Sequence, residues 1–348
     1  MHHTTPTDLD FDVFAASFYL LTEYAAYTDD QRDQHHRYLV STVAAPAWQL
    51  DRLPLVHVYA KMLADALSAR FPDLKPRRKL AYRFRLTWDI DHPWKYRHRR
   101  WVEQMGGFAK DLLKGNQDRV RERWQAATVG KDPFDTFTFI ERTCPPEHTW
   151  FFFLLSRNSK FDGKHDAKVW AYRSLIERLG KAGYHTGIHP GYDSSNNFSQ
   201  IAQETHQLAD IIQQPVKASR QHFLKYQLPT TRRSLINIGI EHDFTPCLVE
   251  QGGFPHGMAE PFPWFDLQAN KATTLQLVPT MIMDRTLQQY MGLTPEQALE
   301  HVESLLATTR KYGGMFTLLA HNDSLSESEE WVHWRPAMLD MLKIVQNA

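Results

Sequence analysis

Predicted strands and helices alternate along most of this sequence, and that alternation limits the possible folds more than any other feature. Runs rich in aromatic or branched residues predict strands at residues 149–155, 185–189, 215–220, 238–244, 275–282 and 315–320. Helical patterns lie between most of them, at residues 168–181, 199–213, 231–237 and 295–312. An earlier strand pattern that leads into Asp89 and Asp91 brings the expected number of strands to seven. Strands that alternate with helices are typical of a parallel sheet covered by helices, so the sequence predicts an α/β fold of barrel-like form.

Two regions that flank the first predicted strand lack this alternation. Apolar residues at helical spacing predict a small helical appendage over residues 1–78, and the α/β domain then occupies residues 79–348. Within the appendage, the adjacent His35 and His36 would face different ways on a helix, so we expect both to be solvated loop residues. Residues 94–129 predict a helical insertion, which would overhang the end of the strand that it follows.

The composition argues against some classes of function. The chain has 40 Lys and Arg residues and 40 Asp and Glu residues, so it has no net charge to attract nucleic acid or an anionic membrane. No apolar run approaches the ~20 residues that span a membrane. Only two cysteines occur and no secretion signal is recognisable, which favours a cytoplasmic protein. The 18 histidines direct attention to metal or acid–base chemistry.

Two carboxylates, Asp89 and Asp91, stand one residue apart where the first predicted strand ends. Side chains alternate between the two faces of a strand, so both carboxylates would point the same way. Two negative charges this close are unfavourable unless a positive group lies beside them. A divalent metal would relieve the repulsion, with one carboxylate as its ligand and the other free to act as a base. Neighbouring Arg or Lys side chains would relieve it equally well.

Polar and charged groups collect at six of the seven predicted strand ends. In chain order these groups are Asp89, Asp91, His189, Arg220, His222, Glu241, His242, Asp243, Asp284 and His321. The carboxyl ends of the strands carry the catalytic residues in barrels built of parallel strands. A single histidine at a strand end is usually structural, but the joint pattern predicts one functional site.

Four motifs in this order resemble those of a known family. They are Asp89-Ile90-Asp91, Gly187-Ile188-His189-Pro190, Ser219-Arg220-Gln221-His222 and Leu319-Ala320-His321. The sequence resembles the polysaccharide deacetylases, also called NodB-homology proteins or carbohydrate esterases of family four. It is most similar to a divergent bacterial branch in which a helical segment precedes the catalytic domain. The resemblance covers residues 79–348 and implies a distorted barrel of seven strands that removes acetyl groups from carbohydrates with the help of a metal.

The resemblance also implies a role for individual residues. Asp89 is similar to the general base of the family, and Asp91 and His189 are similar to metal ligands. Arg220 resembles the arginine that orients and tunes the base, and His321 resembles the histidine that acts as general acid on the leaving amine.

Two departures from the family pattern affect the expected metal site. Ile90 separates two aspartates that are usually adjacent, and Asp193 stands where the family usually has its second metal histidine. We therefore expect His222 to be the third ligand, with Asp193 as the alternative. One carboxylate and two imidazoles suit Zn²⁺, with Co²⁺ or Ni²⁺ also possible.

The expected substrate is a carbohydrate or a small amide. On a long loop over residues 247–266, Phe254, Trp264 and Phe265 offer flat faces for sugar rings, although core packing is the competing role. Asp284 at a strand end is a further candidate for substrate binding. Three functions remain open from sequence: a metal-dependent deacetylase of N-acetylated carbohydrates, an amidohydrolase acting on a small amide that is not a sugar, and a saccharide-binding member without catalysis.

Overall fold

The computed structural model describes residues 9–38, 49–75, 80–166 and 168–348. The α-helices in these ranges are α1 (Val13–Leu21), α2 (Tyr24–Thr28), α3 (Leu55–Arg70), α4 (Trp101–Leu113), α5 (Gln117–Thr128), α6 (Phe137–Thr143), α7 (Trp170–Lys181), α8 (Phe198–Ile212), α9 (Thr230–Asn237), α10 (Pro295–Tyr312) and α11 (Arg335–Gln346). The strands are β1 (Tyr82–Ile90), β2 (Thr149–Phe153), β3 (His185–Ile188), β4 (Ala218–Ser219), β5 (His242–Asp243), β6 (Phe262–Asp266), β7 (Lys271–Leu277), β8 (Ile282–Met283) and β9 (Gly314–His321). The expected boundary at residues 78 and 79 lies outside the described residues. Among the helices in the described ranges, none has both the length and the apolar character of a membrane span.

The strands form one mostly parallel sheet in the order β6-β7-β5-β4-β3-β2-β1-β9-β8. Only the β6 and β7 pair is antiparallel. Helices follow most strands, which confirms the predicted α/β class. The expected number of seven strands is not confirmed, because the described residues form nine. The strand predicted at residues 275–282 is divided between β7 and β8, and β6 lies in the region predicted as a long loop.

The residues between β7 and β8 join the two ends of this sheet. β7 pairs with β5, whereas β8 pairs with β9 at the other end of the strand order. Between them, Val278 N donates to Asp243 O and Thr280 N donates to Pro246 O, each at 2.8 Å. The next residue, Met281, donates from N to Thr317 O on β9 at 2.9 Å. The sheet therefore curves back on itself, and the carboxyl ends of its parallel strands converge.

Helix boundaries agree closely with the sequence patterns. The pattern at residues 295–312 coincides with α10, where Thr294 and Gln297 form the expected capping box. The patterns that end at residues 181, 213 and 237 correspond to α7, α8 and α9. The central strands are buried on both faces because helices cover the sheet; all eight residues of β9 are buried.

The N-terminal helices pack directly on the α/β domain. The ring of Phe18 on α1 meets that of Phe265 on β6 with centroids 5.3 Å apart. Glu23, which precedes α2, forms a buried ion pair with Arg232 on α9. The expectation that His35 is solvated is wrong, since His35 is buried and its ring lies 4.7 Å from that of Phe223, whereas His36 is exposed.

Candidate active site

The candidate site lies where β1, β3, β4, β8 and β9 end. Asp89 is the penultimate residue of β1, and Asp91 follows the strand directly. Both carboxylates approach His189, which follows β3: Asp89 Oδ2 lies 3.7 Å and Asp91 Oδ1 lies 3.3 Å from His189 Nε2. The two carboxylates therefore share one side of the strand end, as the alternation of side chains requires.

Three side chains bring potential metal-binding atoms together. They are Asp91, His189 and His222, the group among the described residues whose ligand atoms all lie within 4.8 Å of one another. His222 Nδ1 lies 3.0 Å from His189 Nε2 and 3.5 Å from Asp91 Oδ1. The alternative ligand, Asp193, is exposed and does not belong to this group.

The hydrogen bonds of the two histidines determine which ring atoms face the site. His189 Nδ1 lies 2.6 Å from the carbonyl oxygen of Arg220, and His222 Nε2 lies 3.0 Å from that of Phe161. A carbonyl oxygen can only accept, so each of these nitrogens carries the ring hydrogen. In neutral rings, lone pairs on the two other nitrogens therefore face each other and the carboxylate of Asp91.

A cation would stabilise this arrangement of acceptors. Asp91 Oδ1 is buried and has no hydrogen-bond partner among the described residues. Two imidazole lone pairs and one carboxylate oxygen form a donor set that suits Zn²⁺ or a similar metal, with backbone carbonyls orienting the rings. The residues present thus fit a divalent metal.

A proton on His189 is the competing cation. Burial alone would lower the pKa of His189, but the carboxylates of Asp89 and Asp91 outweigh burial and raise it. Burial lowers the pKa of His222, so the two rings differ in their tendency to become charged. A metal and a proton would therefore compete for the same group of atoms.

Asp89 is not one of the three candidate ligands, and it is bound by Arg220. Arg220 Nη1 donates to Asp89 Oδ1 at 2.8 Å, and the arginine is fully buried. Its Nε donates to Phe244 O at 3.1 Å, and its guanidinium lies over the ring of Phe152 at 4.7 Å. Arg220 therefore fixes one oxygen of Asp89 by a charged hydrogen bond, and the other oxygen, Oδ2, lies toward His189.

His321, the last residue of β9, is paired with Asp284. Its Nδ1 donates to Asp284 Oδ1 at 2.9 Å, and its backbone N donates to Asp284 Oδ2 at 2.7 Å. The remaining ring nitrogen, Nε2, lies 3.7 Å from Asp91 Oδ2. Burial alone would lower the pKa of His321, but the Asp284 carboxylate raises it to about 9. A protonated His321 can thus present an N–H to the site at neutral pH.

Three residues expected to bind substrate have other places in the structure. Both oxygens of Asp284 are occupied by His321, and Asp284 is only 2% exposed, so its expected contact with substrate is wrong. Phe254 and Trp264 are fully buried in the main hydrophobic cluster, so their expected role as faces for sugar rings is also wrong. Phe265 is half-buried and packs on Phe18.

Other strand-end residues lie away from the candidate ligands. Asp243 is buried beside Arg232, with Oδ2 3.6 Å from the arginine Nε. Glu241 pairs at the surface with Lys217 at 2.7 Å. Neither Asp243 nor Glu241 lines the cavity at the candidate ligands.

A cavity of about 260 Å³ opens at the cluster of candidate ligands. Its lining includes Asp89, Asp91, His189, His222 and His321, which the sequence predicts, together with Arg37, Phe161, Phe223, Arg285 and Tyr290, which it does not. Phe161 belongs to the loop after β2, and Arg37 belongs to the segment before α3. Neither lies in a motif, so no local pattern indicates that they reach the site.

Comparisons with known proteins give a family model for the N-terminal part and structural neighbours for most of the chain. A model described as a family of unknown function (DUF7033) matches residues 1–72. No curated protein sequence matches the chain.

Polysaccharide deacetylases are among the solved structures that the chain resembles, as the motifs predict. One, from Mycobacterium smegmatis, has 14% sequence identity and a TM-score of 0.47 over 78% of this chain and 86% of that chain. Another, from Pseudomonas aeruginosa PAO1, has 11% identity and a TM-score of 0.46 over 77% of this chain and 85% of that chain. A CE4 family pseudoenzyme from Bacillus anthracis has 8% sequence identity and a TM-score of 0.38 over 79% of this chain and 66% of that chain. Likeness at these identities assigns no activity to the chain.

Proposed function

We propose that this protein is a metal-dependent hydrolase that removes the acetyl group from an N-acetylated carbohydrate. The observation that carries the proposal is the position of three acceptor atoms, from Asp91, His189 and His222, between a separate carboxylate and a protonated histidine. Asp89 is the carboxylate, and His321 is the histidine. Amide hydrolysis needs these two proton-transfer groups on either side of the reacting carbon.

The metal would be held by Asp91, His189 and His222. Zinc is the metal that we expect there, with cobalt or nickel as alternatives. When bound, it would make water a stronger acid and polarise the acyl oxygen.

The residues of the chain would move the protons. Asp89 would accept a proton from water as the water oxygen bonds to the acyl carbon, and Arg220 would orient Asp89 through its hydrogen bond to Oδ1. His321 would donate its Nε2 proton to the amide nitrogen as the carbon–nitrogen bond breaks. Asp284 would keep that proton on Nε2 by holding Nδ1 and by stabilising the imidazolium. The products would be acetate and a free amine.

The closed sheet supports the finer architecture that the motifs imply. We propose a distorted barrel over residues 79–348 as the catalytic domain, preceded by a helical N-terminal part over residues 1–78. The hydrogen bonds of residues 278–281 to both ends of the sheet support the barrel. They bring strands from distant parts of the chain around one cavity.

A small amide that is not a sugar is the second candidate substrate. The cavity of about 260 Å³ is slightly smaller than the roughly 300–1,000 Å³ of most small-molecule sites, which favours a compact substrate. A role limited to saccharide binding is less consistent with the site, because binding alone does not require the Asp89–Arg220 and Asp284–His321 pairs.

The proposal is tested by metal content and acetate release together. We would measure bound zinc in the parent protein and in Asp91→Ala, His222→Ala and Asp193→Ala variants, and acetate released from N-acetylglucosamine oligomers after addition of Zn²⁺ or Co²⁺. We expect one metal per chain in the parent and in Asp193→Ala, and loss of both metal and activity in the other two variants. Failure of the parent to bind metal under any loading condition would contradict the proposal.

A further inference from the structure

The segment before α3 supplies a wall of the cavity. Arg37 lines this cavity together with Asp89, Asp91 and His189, although it comes from the part of the chain expected to be an appendage. His35 fixes the same segment against the domain, with Nδ1 3.0 Å from the hydroxyl oxygen of Tyr192. The position of Arg37 therefore depends on contacts across the two parts of the chain.

The Arg37 guanidinium is held from several sides. Its Nε and Nη2 each lie 2.6 Å from Asp33 Oδ2. Nη1 donates to the carbonyl oxygen of Phe223 at 3.0 Å, and Nη2 donates to the hydroxyl oxygen of Tyr290 at 3.1 Å. The arginine side chain is only 7% exposed. Because its geometry is fixed before a ligand arrives, little conformational entropy would be lost on binding.

Two hydrogen-bond donors remain available at this wall. A guanidinium has five N–H groups, and the contacts above occupy four, which leaves one hydrogen on Nη1. Tyr290 accepts from Arg37, so its own hydroxyl hydrogen can be donated elsewhere. Among the residues that the structure describes, no hydrogen bond is found for either hydrogen, and both side chains line the cavity.

We propose that Arg37 is a substrate-binding residue, which together with Tyr290 donates hydrogen bonds to a hydroxyl or carbonyl oxygen of the N-acetylated sugar. The inference rests on the proposed function. The donors complement the acceptors that line the same cavity, which are Asp89 and the candidate metal ligands. The segment before α3 is thus part of the substrate site and contributes to specificity.

Two conservative variants and one control test the proposal. Arg37→Lys keeps a positive charge beside Asp33 but removes the planar set of donors, and Tyr290→Phe removes only the hydroxyl group. Arg52→Gln is the matched control, since the Arg52 side chain is 79% exposed. For each zinc-loaded protein we would measure kcat and KM for acetate release from N-acetylglucosamine oligomers, metal content and melting temperature.

We expect KM to rise about tenfold or more in Arg37→Lys, because a hydrogen bond from a charged donor contributes this much to affinity, and about fivefold in Tyr290→Phe, because the hydroxyl group is a neutral donor. Metal content should match that of the control, whereas the melting temperature of Arg37→Lys should be lower because the buried guanidinium group loses hydrogen bonds. An unchanged kcat/KM in both variants would overturn the proposal. A loss of activity that accompanies a loss of bound metal would also overturn the proposal. Arg37 would then act only by positioning Phe223 and the neighbouring candidate ligand His222.

Failure of the proposed function gives a different result. The parent would then release no acetate, and binding of the same oligomers to the zinc-loaded protein, measured by calorimetry, would replace turnover. Weaker binding by Arg37→Lys than by the parent and Arg52→Gln would support the role of Arg37 in a protein that binds without hydrolysis. Equal dissociation constants for all three proteins would overturn the proposed role of Arg37.

Discussion

The two groups proposed to transfer protons, Asp89 and His321, each have a partner that fixes their position. Arg220 holds Asp89 beside the candidate ligands without making it one, and Asp284 orients His321. Backbone carbonyls fix the rings of His189 and His222 with their lone pairs toward Asp91. The site thus contains separate groups for binding a cation, for accepting a proton and for donating one.

Replacement of Asp89 by Asn separates base catalysis from metal binding. Asn cannot accept the proton of water, so Asp89→Asn should lower kcat by about 10²- to 10⁴-fold. Its metal content should equal that of the parent, because Asp89 lies outside the group of three ligands. Steady-state kinetics and metal analysis of one preparation check this. Equal kcat values in the variant and the parent would exclude Asp89 as the base.

Replacement of Asp284 by Asn tests the origin of the raised pKa of His321. The Asp284 carboxylate raises this pKa to about 9 against the effect of burial, so its loss should lower the pKa. If His321 must be protonated to act as the acid, activity falls as pH rises through this pKa. The alkaline limb of the kcat profile should therefore move to lower pH in Asp284→Asn. A limb at the same pH in both proteins would assign it to another group.

The sequence predicts the ionisable residues of this site better than its apolar and N-terminal surroundings. Asp91, His189 and His222 lie at the ends of strands, and parallel strands bring those ends together. Arg37 reaches the cavity through contacts between distant segments, which leave no local pattern. The burial of Phe254 could not be predicted either, because an aromatic residue in a loop suits both a core and a binding surface.

At the scale of elements, the strand pattern at residues 275–282 shows that apolar periodicity does not predict which strands pair. Its apolar residues are buried as expected, but four residues between β7 and β8 pass from β5 to β9. An apolar run indicates that a segment is buried, but it does not indicate which strand the segment pairs with. The sequence therefore predicts one strand where the structure has two. Helix α10 was predicted to the residue because its capping box is a local interaction.

The ion pair between Glu23 and Arg232 should contribute strongly to the stability of the N-terminal helices on the domain. Both side chains are buried, and Glu23 also accepts a hydrogen bond from Tyr226. Glu23→Gln leaves the buried arginine with only the more distant carboxylate of Asp243, whose Oδ2 lies 3.6 Å from Nε, and should lower the free energy of unfolding by about 3 kcal/mol at pH 7. Urea unfolding of the two proteins measures this difference.

The loss of stability caused by Glu23→Gln should become smaller as the pH falls. Burial alone would raise the pKa of Glu23, but Arg232 and His256 outweigh burial and hold it below the ordinary value of 4.5. The contribution of Glu23 is therefore complete above pH 4.5 and is lost as the pH falls through the lower pKa of the folded state. The parent and Glu23→Gln should converge in stability over that range. Asp65→Asn, which breaks the exposed Lys61–Asp65 pair on α3, is the control and should change stability by less than about 0.5 kcal/mol at pH 7.

At the scale of the whole molecule, the candidate metal site connects three strands. Asp91, His189 and His222 follow β1, β3 and β4, and the unfolded chain does not hold these residues near one another. A metal that binds only the folded state stabilises it by mass action. Stability is therefore a measure of the site that does not depend on knowing the substrate.

Addition of zinc should raise the melting temperature of the parent and not that of Asp91→Asn or His222→Ala. At a free zinc concentration about 1,000 times Kd, the added free energy of unfolding is about 4 kcal/mol. Asp193→Ala should respond like the parent because Asp193 is exposed and outside the group of ligands. The rise should be smaller at pH 5 than at pH 7, since protons compete for His189. An equal rise in melting temperature in the parent and in Asp91→Asn would show that zinc binds elsewhere and would contradict a metal site formed by Asp91, His189 and His222.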